Sequence, residues 1–153
     1  MITVSNPMGL AAYAGQSLGM TDWHLITQAQ VSAFAELTGD DHWIHVDEAR
    51  AAREQPDGKT IAHGLHILAL IPRLQRQIFH IARRGAGLNY GYDKVRFTAP
   101  VPVGGRIRLH QALGTVQPHR AGTRIELNST VSIEGAEKPA LIAQGILLIG
   151  DPR

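Results

Sequence analysis

The chain has 153 residues and a mass of 16.6 kDa, enough for one domain with a full core and too little for two ordinary ones. Apolar residues make up 44% and charged residues 18%, a composition that excludes an intrinsically disordered chain. The formal charge of +2 and a pI near 9.3 suit a phosphate-bearing small ligand. Without a Lys/Arg run they do not point to nucleic acid.

The sequence has no Cys. That rules out disulfides, a thiolate nucleophile, a thiolate zinc site and iron–sulfur ligation. The N-terminal residues lack the basic start and apolar core of a secretory leader. The longest apolar runs, such as 67–72, fall far short of the roughly 20 residues a membrane span needs. The expectation is a soluble, cytoplasmic, single-domain protein over residues 1–153.

In chain order, residues 8–14 read as a short helix ended by Gly15. Asp22 to Ile26 reads as a short strand. Thr27 is an N-cap, with Gln30 completing a capping box. Val31, Phe34, Ala35 and Thr38 share one face of the helix that follows, and Gly39 stops it. Gly39 to His45 is then a loop. Asp47 caps a short helix running to about Glu54, broken by Gln55, Pro56, Asp57 and Gly58.

Thr60 to Ile71 is the most apolar helix candidate, and its apolar residues keep to no single stripe, which predicts burial nearly all round. Pro72 is expected to kink or restart it, with a basic helix continuing from Arg73 to Arg84. The rest reads as strand: Leu88–Phe97, Arg106–Val116, Thr123–Ile133 and Leu141–Ile149. Counting the early strand gives about five, mostly joined by hairpin-length turns. The predicted class is α+β, a curved antiparallel sheet around a central buried helix.

Two clusters carry chemistry. In Gly39-Asp40-Asp41-His42-Trp43-Ile44-His45, a carboxylate and an imidazole five residues apart can converge on one water and exchange protons near neutral pH. The same run also reads as a polar turn closing a helix, and Asp41 is a second, less well spaced acid. In Thr60-Ile61-Ala62-His63-Gly64-Leu65, a Gly in the first turn of a buried helix lets a ligand approach free N–H groups. Such a site could hold enolate charge as an oxyanion hole does, or the Gly could serve only close packing. Addition of water to a double bond conjugated to a thioester needs both parts.

Phe34-Ala35-x-x-Thr38-Gly39-Asp40-x-x-x-Ile44-His45 followed by Ile61-Ala62-His63-Gly64 resembles the hydratase motif of the MaoC-like (R)-specific enoyl-CoA hydratases. Residues 41–47 and Asn89-Tyr90-Gly91-x-Asp93-Lys94-Val95-Arg96-Phe97-x-x-Pro100-Val101-Pro102-Val103-Gly104 resemble the NodN-like branch. The resemblance implies a hot-dog fold. It implies reversible hydration of a trans-2-enoyl thioester to an (R)-3-hydroxyacyl product, with no cofactor or metal. By position, Asp40 and His45 would be the catalytic dyad and the Gly64 N–H would polarise the thioester carbonyl. Trp43, His63 and Tyr90 are candidates to line the substrate pocket. The family's usual Asn-Pro inside the motif is replaced by His42-Trp43. The implied partners are acyl-CoA or an acyl-carrier thioester and a second copy of the chain, paired edge to edge.

Three rivals stand beside this reading. His42-x-x-His45 and His63-x-x-His66 could bind a metal, although His66 also reads as a satisfied core histidine. A hot-dog acyl-CoA thioesterase would use similar groups. A non-catalytic acyl-thioester-binding protein would keep the pocket alone. Arg73, Arg76, Arg83, Arg84, Lys94 and Arg96 are candidates to meet phosphates, against a default of solvated charge.

Overall fold

The structure, a computed structural model, describes residues 1–152. Alternating inward residues build its main sheet. Strands β1 (Ile2–Val4), β2 (Ser17–Met20) and β3 (His24–Leu25) precede helix α1 (Gln28–Thr38). A one-turn helix α2 (Trp43–Val46) and α3 (Glu48–Glu54) follow, then α4 (Gly64–Gln75). Strands β4 (Phe79–Ile81), β5 (Gly87–Phe97), β6 (Arg106–His119), β7 (Gly122–Ile133) and β8 (Leu141–Ile149) complete the chain.

The sheet has six strands in the order β2-β6-β7-β8-β5, with β3 also on β6. All its pairings are antiparallel. Ile107, Leu109 and Leu113 of β6 and Ile125, Leu127 and Val131 of β7 are buried at every second position, the period of a strand with one covered face. They meet Ile67, Ile71 and Leu74 of α4 in one core. The expected hot-dog arrangement, a sheet curved around a central helix, is therefore present.

Several local expectations change. The segment at residues 7–13 is a 3-10 helix starting on Pro7. The early strand shrinks to β3, and β1 and β2 are additional. Thr60 to Ala62 is extended, with Ile61 bridging Pro102, so α4 begins only at Gly64. It runs through Pro72 to Gln75 and is not buried all round, since Leu65, Ala69 and Arg73 are exposed. The basic helix to Arg84 is absent. Phe79–Ile81 instead pairs in parallel with β1, because Ile78, Phe79 and Ile81 bury more apolar surface there than a polar helix would.

The Thr27 capping box forms as read: Thr27 Oγ1 accepts from Gln30 N–H, and the Gln30 side chain accepts from Thr27 N–H. Gly39 ends α1 in the left-handed region at φ 76°. Strand β5 has β8 on one side and no strand on the other, and most of its residues are exposed.

Candidate active site

The end of α1 sets Asp40. Thr38 Oγ1 donates to Phe34 O at 2.7 Å and accepts the Asp40 N–H at 3.3 Å. After Gly39 turns the chain, Asp40 stands exposed at the mouth of a cleft. His45 lies on α2 rather than in a loop. His42 Nδ1 accepts the Ile44 N–H at 3.4 Å, so an imidazole caps α2. Gln28 clamps this turn, donating to His45 O at 2.8 Å while its Oε1 accepts the Thr60 hydroxyl at 2.5 Å.

His45 is 8% exposed. Its Nδ1 is 2.7 Å from Ile61 O. A carbonyl only accepts, so Nδ1 carries the hydrogen and Nε2 presents its lone pair. Burial pulls the His45 pKa below its ordinary value. The Ile61 hydrogen bond opposes that shift, as does Asp40, while His63 and His42 add to it. A lowered value keeps the imidazole neutral, and therefore basic, at neutral pH.

His63, 3% exposed, ties the two groups together. Its Nε2 donates to the main-chain carbonyl of Asp40 at 2.8 Å, and its ring stacks on His45 with centroids 3.7 Å apart. Phe34 of α1 packs on His63 at 5.0 Å and on His66 at 5.2 Å. Asp40, His45 and His63 bring one donor atom each within 4.8 Å of one another. That span suits one water bridging two hydrogen bonds of about 2.8 Å. It also satisfies the bare spacing of a metal site; among the described residues neither His42 nor His66 joins a group of three such side chains. Stacked imidazoles direct their in-plane lone pairs side by side rather than at one point, which disfavours joint ligation.

The cleft has a volume of about 400 Å³. Asp40, His45, His63 and Gly64 line it, together with Phe97 and Ala140. Gly64 is the first residue of α4, so its N–H has no intrahelical partner and sits at the positive end of the helix dipole. A Cβ on Gly64 would lie 2.7 Å from Phe97 Cγ and Cδ1, so the close approach of β5 requires glycine. Trp43 and Tyr90 do not line this cleft. Trp43 carries the Arg50 guanidinium at 4.2 Å from its ring centre, and Tyr90 is 66% exposed on β5. His66 is buried, but its Nδ1 lacks a hydrogen-bond partner among the described residues. The roles of Gln28, Phe34 and Ile61 as supports carry no sequence signal beyond Phe34 and Ile61 standing in the motif.

The MaoC-like domain model matches residues 10–134. The 3-hydroxyacyl-thioester dehydratase Z of Mycobacterium tuberculosis is 47% identical over 148 residues, covering 96% of this chain and 97% of that protein. Nodulation protein N of Rhizobium meliloti is 38% identical, covering 91% and 88%. Among solved structures, an R-hydratase from Pseudomonas aeruginosa superposes with a TM-score of 0.75 at 22% identity, covering 96% of this chain and 86% of that one. With this coverage and the dyad motif together, the chain belongs to the MaoC-like dehydratase family.

Proposed function

We propose that this protein is an (R)-specific hydro-lyase that interconverts a trans-2-enoyl thioester and the 3-hydroxyacyl thioester. The observation that carries the reading is the tautomer of His45: Nδ1–H is committed to Ile61 O, which leaves Nε2 as the free basic nitrogen of a ring that brings a nitrogen within 4.8 Å of an Asp40 carboxylate oxygen. The relative named above as a 3-hydroxyacyl-thioester dehydratase supports the substrate class.

In the hydration direction the thioester carbonyl accepts the Gly64 N–H. Asp40 orients the water as an acceptor. His45 Nε2 takes one water proton as the oxygen bonds to C3, and the electron pair of the double bond moves to the carbonyl as an enolate. The resulting imidazolium, steadied by the Asp40 carboxylate, returns that proton to C2. One water is consumed and the dyad is regenerated. No step draws on a cofactor or metal.

The reading includes pairing of two copies along β5. An eleven-residue edge carrying exposed Leu88, Tyr90 and Phe97 exposes backbone donors and acceptors that another strand can satisfy, and a self-complementary contact closes as a two-fold dimer. It also includes a cytoplasmic setting, which the absence of Cys supports. Among the described residues no helix is long and apolar enough to cross a membrane.

The test is a spectrophotometric assay on trans-2-enoyl-CoAs of several lengths with chiral analysis of the product. Loss of the enoyl absorbance with an (R)-3-hydroxyacyl product is expected. Release of free thiol with the conjugation intact would assign thioester hydrolysis instead.

A further inference from the structure

The described residues lining the catalytic cleft include no Lys or Arg. A thioester carried on CoA or on a phosphopantetheine arm brings phosphate, whose natural protein partners are guanidinium groups. The chain has a second cavity, of about 470 Å³, at the other end of α4 and of β5. Its rim holds Arg76, Arg84 and His80, its wall is apolar with Phe79 and Leu88, and no Asp or Glu lines it. Neither arginine forms an ion pair among the described residues.

The fold relates the two cavities through β5. Phe97, at one end of the strand, lines the catalytic cleft, and Gly87, at the other, lines the basic cavity. Two copies pairing their β5 edges antiparallel over the full Gly87–Phe97 span set Phe97 opposite the partner's Gly87 and Lys94 opposite the partner's Tyr90. Antiparallel pairing in one continuous sheet keeps both α4 helices on the same side. Neighbouring strands lie about 4.8 Å apart, so in that pairing the catalytic cleft of one copy would lie beside the basic cavity of the other, the bulges of β5 at 89–91 and 92–94 shifting the register by a residue or two.

We propose that Arg76 and Arg84 of one protomer bind the phosphate of the carrier whose thioester reacts at Asp40 and His45 of its partner. The inference rests on the hydratase reading and on the β5 pairing. It makes each active site incomplete in a single chain: chemistry comes from one copy and the anion anchor from the other.

The test compares crotonyl-CoA with the phosphate-free crotonyl-N-acetylcysteamine thioester. In the exposed double variant Arg76→Gln/Arg84→Gln, the ratio of KM for the CoA substrate to KM for the phosphate-free one should rise at least about 10-fold. A ratio within twofold of the wild type for both the CoA substrate and the carrier-protein substrate overturns the proposal. Crotonyl groups on an acyl carrier protein form a separate arm; a rise in either carrier arm supports the site, and the larger rise names the source of the phosphate. A purified mixed dimer of Asp40→Asn with Arg76→Gln/Arg84→Gln decides between chains. Assembly across the interface restores the wild-type KM for crotonyl-CoA at its one live site, whereas a raised KM there, or a monomer at micromolar concentration, overturns it. If the wild type turns over neither substrate, the hydratase reading fails separately. Calorimetry with CoA itself then tests the arginines, with weakened binding in the double variant expected and equal binding contradictory.

Discussion

Gly64 combines two demands that substitution can separate. Ala at this position keeps the N–H and adds a Cβ 2.7 Å from two Phe97 ring atoms. Ordinary contact begins near 3.4 Å, so the ring or the helix must give by about 0.7 Å. Overpacking of this size costs about 1–3 kcal/mol, offset in part by the helix preference of Ala, worth up to about 1 kcal/mol. A net loss of about 1–2 kcal/mol corresponds to a fall in Tm of about 2–8 °C for a domain of this length. Trimming the wall with Phe97→Leu should recover most of it. Pro at the same position adds the same Cβ with two further ring carbons and removes the N–H. The backbone accepts Pro there: Gly64 is the first helical residue, and His63 has φ −62° and ψ 138°, the region a residue before Pro adopts. The ratio of kcat between Gly64→Ala and Gly64→Pro therefore isolates the hydrogen bond to the carbonyl. Loss of one oxyanion donor costs about 10²–10³ in kcat, so Gly64→Pro should be slower than Gly64→Ala by that factor at comparable Tm. Equal rates in two folded variants would refute the role of this N–H.

His63→Phe keeps a ring against His45 and loses the bond to Asp40 O; kcat should fall roughly 10²-fold through misplacement of the carboxylate. With the neighbouring imidazole gone, the acid limb of the pH–rate profile should move to higher pH, and an unchanged rate and limb would contradict the tie. His24, His45 and His66 all have pKa values lowered from the ordinary 6.5, first by burial. The folded state then binds fewer protons than the unfolded one just below pH 6.5, so this stability is full above 6.5 and is lost as pH falls through the lowered values. Urea midpoints should decline from pH 7.5 to 5.5, and a rise over that interval would reverse the sign. Thr27→Ala removes one half of the capping box and should cost about 1 kcal/mol in urea denaturation, with no loss if the cap is only geometric.

Caps, breakers and period-two strands were legible because each is decided by near neighbours. Thr27 with Gln30, Gly39 and the β8 span of Leu141–Ile149 follow from local chemistry. Strand β4 was not legible: Phe79–Ile81 continues a helix-compatible run, and only its parallel partner β1, some 77 residues earlier in register, makes extension favourable. The start of α4 was misplaced for a similar reason, since Thr60 and Ile61 are held extended by Gln28, His45 and Pro102. At the site, spacing and residue type made Asp40, His45 and Gly64 candidates beside Asp41, and the resemblance to the hydratase motif singled them out. The links among them did not, because the stack of His63 on His45 and the Ile61 carbonyl behind it exist only once α1, α2 and α4 converge. The lining of the cleft excludes Trp43 and Tyr90, whose side-chain directions are set by α2 and by the exposed edge of β5.

The most direct test is turnover of crotonyl-CoA by His45→Gln, with circular dichroism and Tm matching the wild type. Glutamine can still hydrogen-bond in the cleft but cannot take and return a proton, so kcat/KM should fall by about 10²–10⁴-fold. A folded His45→Gln protein that hydrates crotonyl-CoA within threefold of the wild type would contradict the assignment of His45 as the base.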